Sequence, residues 1–250
     1  MKPSTIKIFS ISAILVTALG CTKLHEKLQG ELSPDQISAS SSGAASLLQS
    51  AYSSMQITYQ DQSNFLAMQE MTSDELIGPT RGPDWDDNGV WRVLHAHAWD
   101  GDNLHIHDCF DQLSGTVFAA TDILRYNPSA QQAAEARFLR AFSMFNQLDL
   151  FNQVPYRDPG ESVLVPSRVR VGTEALTYII SQLTDSIIPS IGDAPPVSRA
   201  NKDAARVLLM KCYLNKGVIA NRTTPTFDPG DMQQVITLAN QVIGNGTKYP

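Results

Sequence analysis

Apolar residues recur at three- and four-residue spacing in several separate stretches of the chain, the period of an amphipathic helix. The strongest stretch runs from Gln131 to Pro155. There Ala134, Phe138, Ala141, Phe142, Phe145 and Leu148 share one face, with no Gly or Pro inside the run. So wide an aromatic face predicts burial against other helices. Pro155 predicts a hard stop, because it lacks an N–H and restricts Val154. Upstream, Leu47, Leu48, Ala51, Tyr52 and Met55 predict a helix from Ala44 to near Tyr59. Phe110, Leu113, Val117, Ala120, Ile123 and Leu124 predict another that stops at Asn127-Pro128. Downstream, Leu176, Ile179, Ile180, Leu183 and Ile187 lie between Thr173, read as a cap, and the terminating Pro189. Ala205, Leu208, Leu209 and Cys212 mark a helix over 201–216 with Gly217 at its C′ position. A last helix, from about Asp231 to Ile243, turns Val235, Leu238, Ala239 and Val242 inward. Pro155, Pro159 and Pro166 mark an extended excursion. No alternating strand pattern of any length is present, so the predicted class is mainly α, with antiparallel helix pairs.

Residues 61–103 break this rhythm. Gly78-Pro79, Gly82-Pro83, Asn88-Gly89 and Asp100-Gly101 are turn signals, and all three Trp (Trp85, Trp91, Trp99) fall here. A long loop in a compact domain is usually functional or disordered, and three Trp argue against disorder. Recognition is expected in this stretch.

Composition adds exclusions. The 250 residues are 42% hydrophobic and 18% charged, a globular balance. Net charge is −6, with both signs interspersed and no basic block, so nucleic acid is not an expected partner. Three Cys make no disulfide framework, and Cys109 and Cys212 sit in helical apolar patterns as expected buried thiols. Cys21 is different. Lys2 and Lys7 precede an apolar run from Ile8 to Leu19, and Ala18-Leu19-Gly20-Cys21 follows the form of a lipobox. Position −3 is Ala18, where Leu is usual; the alternative is an ordinary secretory signal with a chance Cys. The expected layout is a signal peptide over 1–20, a lipidated Cys21 and tether over 21–42, and a helical domain over 43–250. No later segment has the length of a transmembrane helix.

Chemistry-bearing residues are few in kind. His95, His97, His105 and His107 suggest a metal site on paper, and a metal-dependent hydrolase is the reading they would support. Yet His105 and His107 abut a helix start, where a spacing of two turns their rings apart. Glu70, Asp74 and Glu75 offer carboxylates for a glycosidase pair. No HExxH, P-loop or GxSxG is present.

Two stretches carry a family resemblance. AEARFLRAFSMFNQLDLFNQVP resembles the signature helix of the SusD/RagB family, surface glycan-binding lipoproteins of Bacteroidetes. The order Thr72-Ser73-Asp74-Glu75, Pro79-Thr80-Arg81-Gly82, Asp84-Trp85, Gly89, Trp91, Leu94-His95, Trp99, Asn103 is similar to that family's loop. AARVLLMKCYLNKG, within the 173–216 helix pair, resembles a tetratricopeptide-like hairpin. The resemblance implies tetratricopeptide-like stacking and a non-catalytic protein with no cofactor and no metal. It implies glycan contacts from Asp74, Arg81, Trp99 and Asn103, with Asp102 competing for the last place. It also implies lipid anchoring at the outer membrane, facing the exterior, and a SusC-type TonB-dependent transporter as partner. Sugar rings lie against indole faces, and their hydroxyls pair with Asp, Asn and the Arg fork. The competing reading makes the Trp side chains core plugs, favoured for Trp85 and Trp91, and pairs Arg81 with Asp74 or Asp84. A peptide-binding, RagB-like role is the other alternative. The resemblance covers the N-terminal half of such proteins, so a fragment or truncation is expected.

Mass spectrometry of the native N-terminus tests the anchor. The expected mature chain begins at an acylated Cys21; a free N-terminus elsewhere would refute it.

Overall fold

The computed structural model describes residues 42–78, 87–193 and 198–244. The expected leader, Cys21 and tether, together with Arg81 and Trp85, lie outside them. Eight helical segments are labelled here: α1 (Gly43–Gln60), α2 (Ala67–Thr72), α3 (Val90–His95), α4 (Leu104–Ile123), α5 (Ala130–Phe151), α6 (Gly172–Gln182), α7 (Lys202–Ala220) and α8 (Pro229–Ile243). A π turn over Gln62–Leu66 joins α1 to α2, and a second over Leu183–Ile187 continues α6 to Ser190.

The stretch singled out first is the hub. Ser129 caps α5 in a reciprocal capping box with Gln132, which satisfies orphan N–H groups at both positions. At the other end Asn152 takes a left-handed conformation and donates its N–H to the Leu148 carbonyl. The helix therefore ends at Phe151, before Pro155, which lies instead in a strand. From Ala134 to Leu148 nearly every side chain is buried, not one stripe alone. α1, α4, α6 and α7 surround it in one core that includes Leu48, Val117, Leu139, Met144, Leu148, Ile179 and Leu208. The short connections 124–129 and 221–228 fold α5 back on α4 and α8 back on α7, giving the paired arrangement.

Burial of polar side chains on α5 demands partners, and its neighbours supply them. Asn146 donates to the Tyr59 hydroxyl at 2.7 Å, Gln147 to Ser114 at 2.7 Å and Arg140 to Gln182 at 2.8 Å. Glu135 accepts from Tyr52 at 2.8 Å, Arg199 at 2.7 Å and Gln131 at 2.9 Å. Burial lowers the pKa of Arg140 from its ordinary value.

Several expectations are corrected. The proline-marked excursion holds a small antiparallel pair, β1 (Gln153–Tyr156) with β2 (Arg168–Val171), in register Val154 to Arg170. Thr173 does not cap α6: β2 runs directly into the helix through Gly172 at φ +48°, and Val171 is the N-cap. Pro189 lies within the last helical turn rather than beyond it. Gly217 is no C′ residue, since α7 continues to Ala220. Its glycine serves packing: a Cβ there would overlap the Thr226 carbonyl of the following loop. Cys109 and Cys212 are buried free thiols, and burial pushes Cys109 up to about 12.

Leu148 is fully buried, whereas Phe142 is half-buried. Leu148→Ala should therefore cost about 2–5 kcal/mol by transfer and cavity terms, and Phe142→Ala less. Urea denaturation of both variants checks the order; equal losses would contradict the burial difference.

Candidate functional site

The segment 61–103 is not one continuous loop. α2 and α3 fold within it and build a second small core on α4: Met68, Met71, Trp91, Leu94, Cys109 and Leu113. Trp91 is 2% exposed. Its indole N–H donates to Asp87 at 2.6 Å, and its ring stacks on His105 at 3.8 Å. It is a core residue, as the competing reading held.

The other candidates gather where α2 and α3 end. α2 closes with the Glu75 N–H donating to the Glu70 carbonyl, which leaves Asp74 at φ +66°. α3 closes with the Ala98 N–H donating to the Val93 carbonyl and the His97 N–H to Leu94, which leaves His97 at φ +53°. In both, the left-handed position that usually takes Gly carries a polar side chain, Asp74 in one and His97 in the other. Asp and His tolerate this conformation better than most, at some backbone cost.

The two corners face each other. The Asp74 carboxylate lies 3.5 Å from His95 Nδ1 and 3.9 Å from His97 Nε2. The His97 ring centroid is 5.6 Å from that of Trp99. Trp99 is 43% exposed, in contrast to Trp91. It lies at a cavity of about 180 Å³ lined also by Met68, Thr72, Leu94, Ile106 and Phe151. That volume is too small to enclose a drug-sized ligand, so a ligand here would rest on the indole rather than enter a pocket.

Asn103 is placed differently from expectation. It is 6% exposed and is the N-cap of α4. Its Oδ1 accepts from His105 at 3.2 Å and Ile106 at 3.3 Å, while Nδ2 donates to the Val90 carbonyl at 3.4 Å. Both ends of the amide are committed to tying α3 to α4. The sequence signal was available, since Asn before a helical run is a cap residue. Asp102 is exposed beside it, and its N–H bonds Asp100 at 3.0 Å.

The four histidines divide among separate settings. His95 and His97 flank Asp74, His105 stacks on Trp91, and His107 lies 3.5 Å from Asp111. Among the described residues no three His, Cys, Asp or Glu side chains are grouped to hold a metal ion. The neighbouring Glu75 carboxyl raises Glu70 from its ordinary carboxyl value. His97 and His95 were read from sequence only as metal candidates; their place beside Asp74 follows from the two helix ends.

No family model matches the chain. Over 139 residues it is 33% identical to the starch-binding protein SusD of Bacteroides thetaiotaomicron, covering 55% of this chain and 22% of that protein. The fold matches a laminarin-binding SusD-like protein with a TM-score of 0.61, at 19% identity, over 80% of this chain and 43% of that one. It matches a SusD-like protein from Bacteroides fragilis with a TM-score of 0.65, at 16% identity, over 85% and 40%. The fold is thus that of SusD-like proteins, mainly helical and tetratricopeptide-like, over the region these likenesses cover. It spans less than half the length of the solved relatives and about a fifth of SusD's.

Asn103→Ala should cost about 1 kcal/mol as a lost N-cap. His97→Gly should instead stabilise by up to about 1 kcal/mol, because Gly takes the left-handed corner without a Cβ penalty. Thermal unfolding followed by circular dichroism reads both signs; a destabilised His97→Gly would show that the imidazole contacts outweigh the backbone cost.

Proposed function

We propose that the chain is a non-catalytic glycan-binding protein whose site lies over the Asp74–Trp99 corner. The observation that carries this reading is the contrast between the two described Trp residues. Trp91 is sealed in the small core, while Trp99 presents its ring beside a carboxylate flanked by two imidazoles. The indole supplies a stacking face. Asp74 supplies an acceptor, and Arg81, which lies outside the described residues, a fork of donors. Asn103, expected as a fourth contact, serves here as the positioning residue that holds α4 against α3. The likeness to a starch-binding and a laminarin-binding protein supports a neutral glucan as the ligand class. The Ala18–Cys21 lipobox and the family resemblance of the sequence motifs are the grounds for the rest of the reading: an anchored position at the outer membrane through Cys21, facing the exterior, and hand-over of oligosaccharide to a SusC-type TonB-dependent transporter.

An open platform with few anchors gives modest affinity, on the order of millimolar to micromolar, or about 4–8 kcal/mol. One stacking ring then supplies a large share of it. Trp99→Ala should abolish retardation on starch and laminarin affinity gels while leaving helical circular dichroism unchanged. Added salt should alter binding little, because stacking involves no net charge. An unfolded Trp99→Ala would make the ring a core residue. A folded variant that binds as the parent does would place the site elsewhere.

A further inference from the structure

A second surface has the chemistry of a sugar site and shares no lining residue with the Trp99 cavity. A groove of about 630 Å³ runs between α1, the N-terminal half of α5 and the segment at Ser198–Ala200. On α1, two rows of side chains border it. Tyr52, Met55 and Tyr59 form the inner row. Gln49, Ser53, Gln56 and Gln60, at spacings of four, three and four, form an exposed outer row. At 1.5 Å per residue that outer row is about 16 Å long. Opposite, the Phe138 and Phe142 rings lie nearly parallel, at 16° and 6.0 Å between centroids. The Tyr59 ring is 5.2 Å from Phe142.

The rings are held in place. Tyr52 donates to Glu135 and accepts from the Ala200 N–H at 2.9 Å, while Tyr59 accepts from Asn146. The outer amides and the Ser53 hydroxyl make no side-chain hydrogen bond among the described residues, so their donors and acceptors face solvent. Apart from the two phenols, no lining side chain can ionise. Burial raises both phenols well above their ordinary value, so the groove is neutral at physiological pH.

This charge character decides the occupant. Arg199, beside the groove near the Tyr52 ring, is paired with Glu135 at 2.7 Å, so nucleic acid, anionic glycans and charged peptides would find no unpaired counter-charge. A lipid chain would gain nothing from a row of amides. A neutral saccharide matches both rows, with C–H faces for the rings and hydroxyls for the amides. We propose that this groove binds a neutral oligosaccharide. Its sugar faces lie on Tyr59 and Phe142, with the buried Phe138 ring backing Phe142 from the core, and its hydroxyls pair with Gln49, Ser53, Gln56 and Gln60. The inference shares the glycan class with the reading above but not its site, so the two can fail separately.

Methionine methyl NMR separates them, because Met55 lines this groove and Met68 lines the cavity at Trp99. Maltohexaose and laminarihexaose are titrated in turn into the protein carrying ¹³C-methyl Met. At least one should move Met55 saturably. That movement should persist in Trp99→Ala and weaken at least tenfold in the double variant Gln56→Leu, Gln60→Leu, whose positions are exposed and safe for folding. A Met55 signal unmoved by both sugars while Met68 moves overturns this proposal and leaves the Trp99 site standing. Met55 moving alone supports it and counts against the Trp99 site. Silence at both overturns both. A Met55 shift unchanged in the double variant removes the amide row from the site and overturns the proposal.

Discussion

The constraint on which the molecule depends is the burial of α5 on nearly every side. A helix so enclosed cannot leave its polar side chains to water, so they need partners in the protein. Glu135, Arg140, Asn146 and the Gln147 amide nitrogen find them on α1, α4, α6 and Arg199, whereas Ser143 Oγ and Gln147 Oε1 are buried without a hydrogen bond. Apolar packing alone is non-directional and tolerates sliding. These bonds fix the register of each neighbour against the hub, and a single lost partner would strand a buried polar group. The Glu135 cluster has a further effect. By holding Tyr52 and the backbone at Ala200 together, it sets the wall of the groove along α1.

Outward from the hub, α4 carries a second, smaller core, and on it ride the two short helices whose ends meet at Asp74 and His97. Neither helix is long enough to be stable alone. Their stability comes from Trp91, Met68 and Leu94 beneath them, and from the Asn103 cap. Asp74 and His97 are two of the six non-glycine residues at positive φ among the described residues, and each carries a backbone cost that Gly would relieve.

Helices with a strong 3.6-residue period were legible in the sequence: the apolar faces of α1, α4, α5, α6 and α7 are buried as their spacing predicts. The misreadings were punctuation. Pro155, Pro189 and Gly217 look like terminators, yet Pro155 is tolerated in a two-stranded edge, Pro189 in a helix's last turn, and Gly217 is required by a crossing loop. No local pattern distinguishes these uses, because each is set by a neighbour distant in sequence. Asn103 was legible in part: an Asn before a helical run is a cap residue, and it caps α4, while the glycan contact is an expectation that only the family resemblance carries. The pairing of Asp74 with His97 was illegible, since two helix ends 23 positions apart in sequence must be placed in space before they meet.

The amide row on α1 was hidden in another way. Gln49, Ser53, Gln56 and Gln60 are what any solvated helix face carries, and nothing in the period sets them apart. They become a candidate site only when α5 brings two parallel Phe rings alongside. Both proposed surfaces then share one physical plan: rings fixed by bonds or packing made elsewhere, beside polar atoms left open. Fixing the rings in advance reduces the ordering cost of binding without adding contacts. For a polymeric ligand, two such surfaces of modest affinity act together. Once one is occupied, the other meets the same chain at a raised effective concentration, so retention of a polysaccharide can exceed what either surface gives a short oligosaccharide.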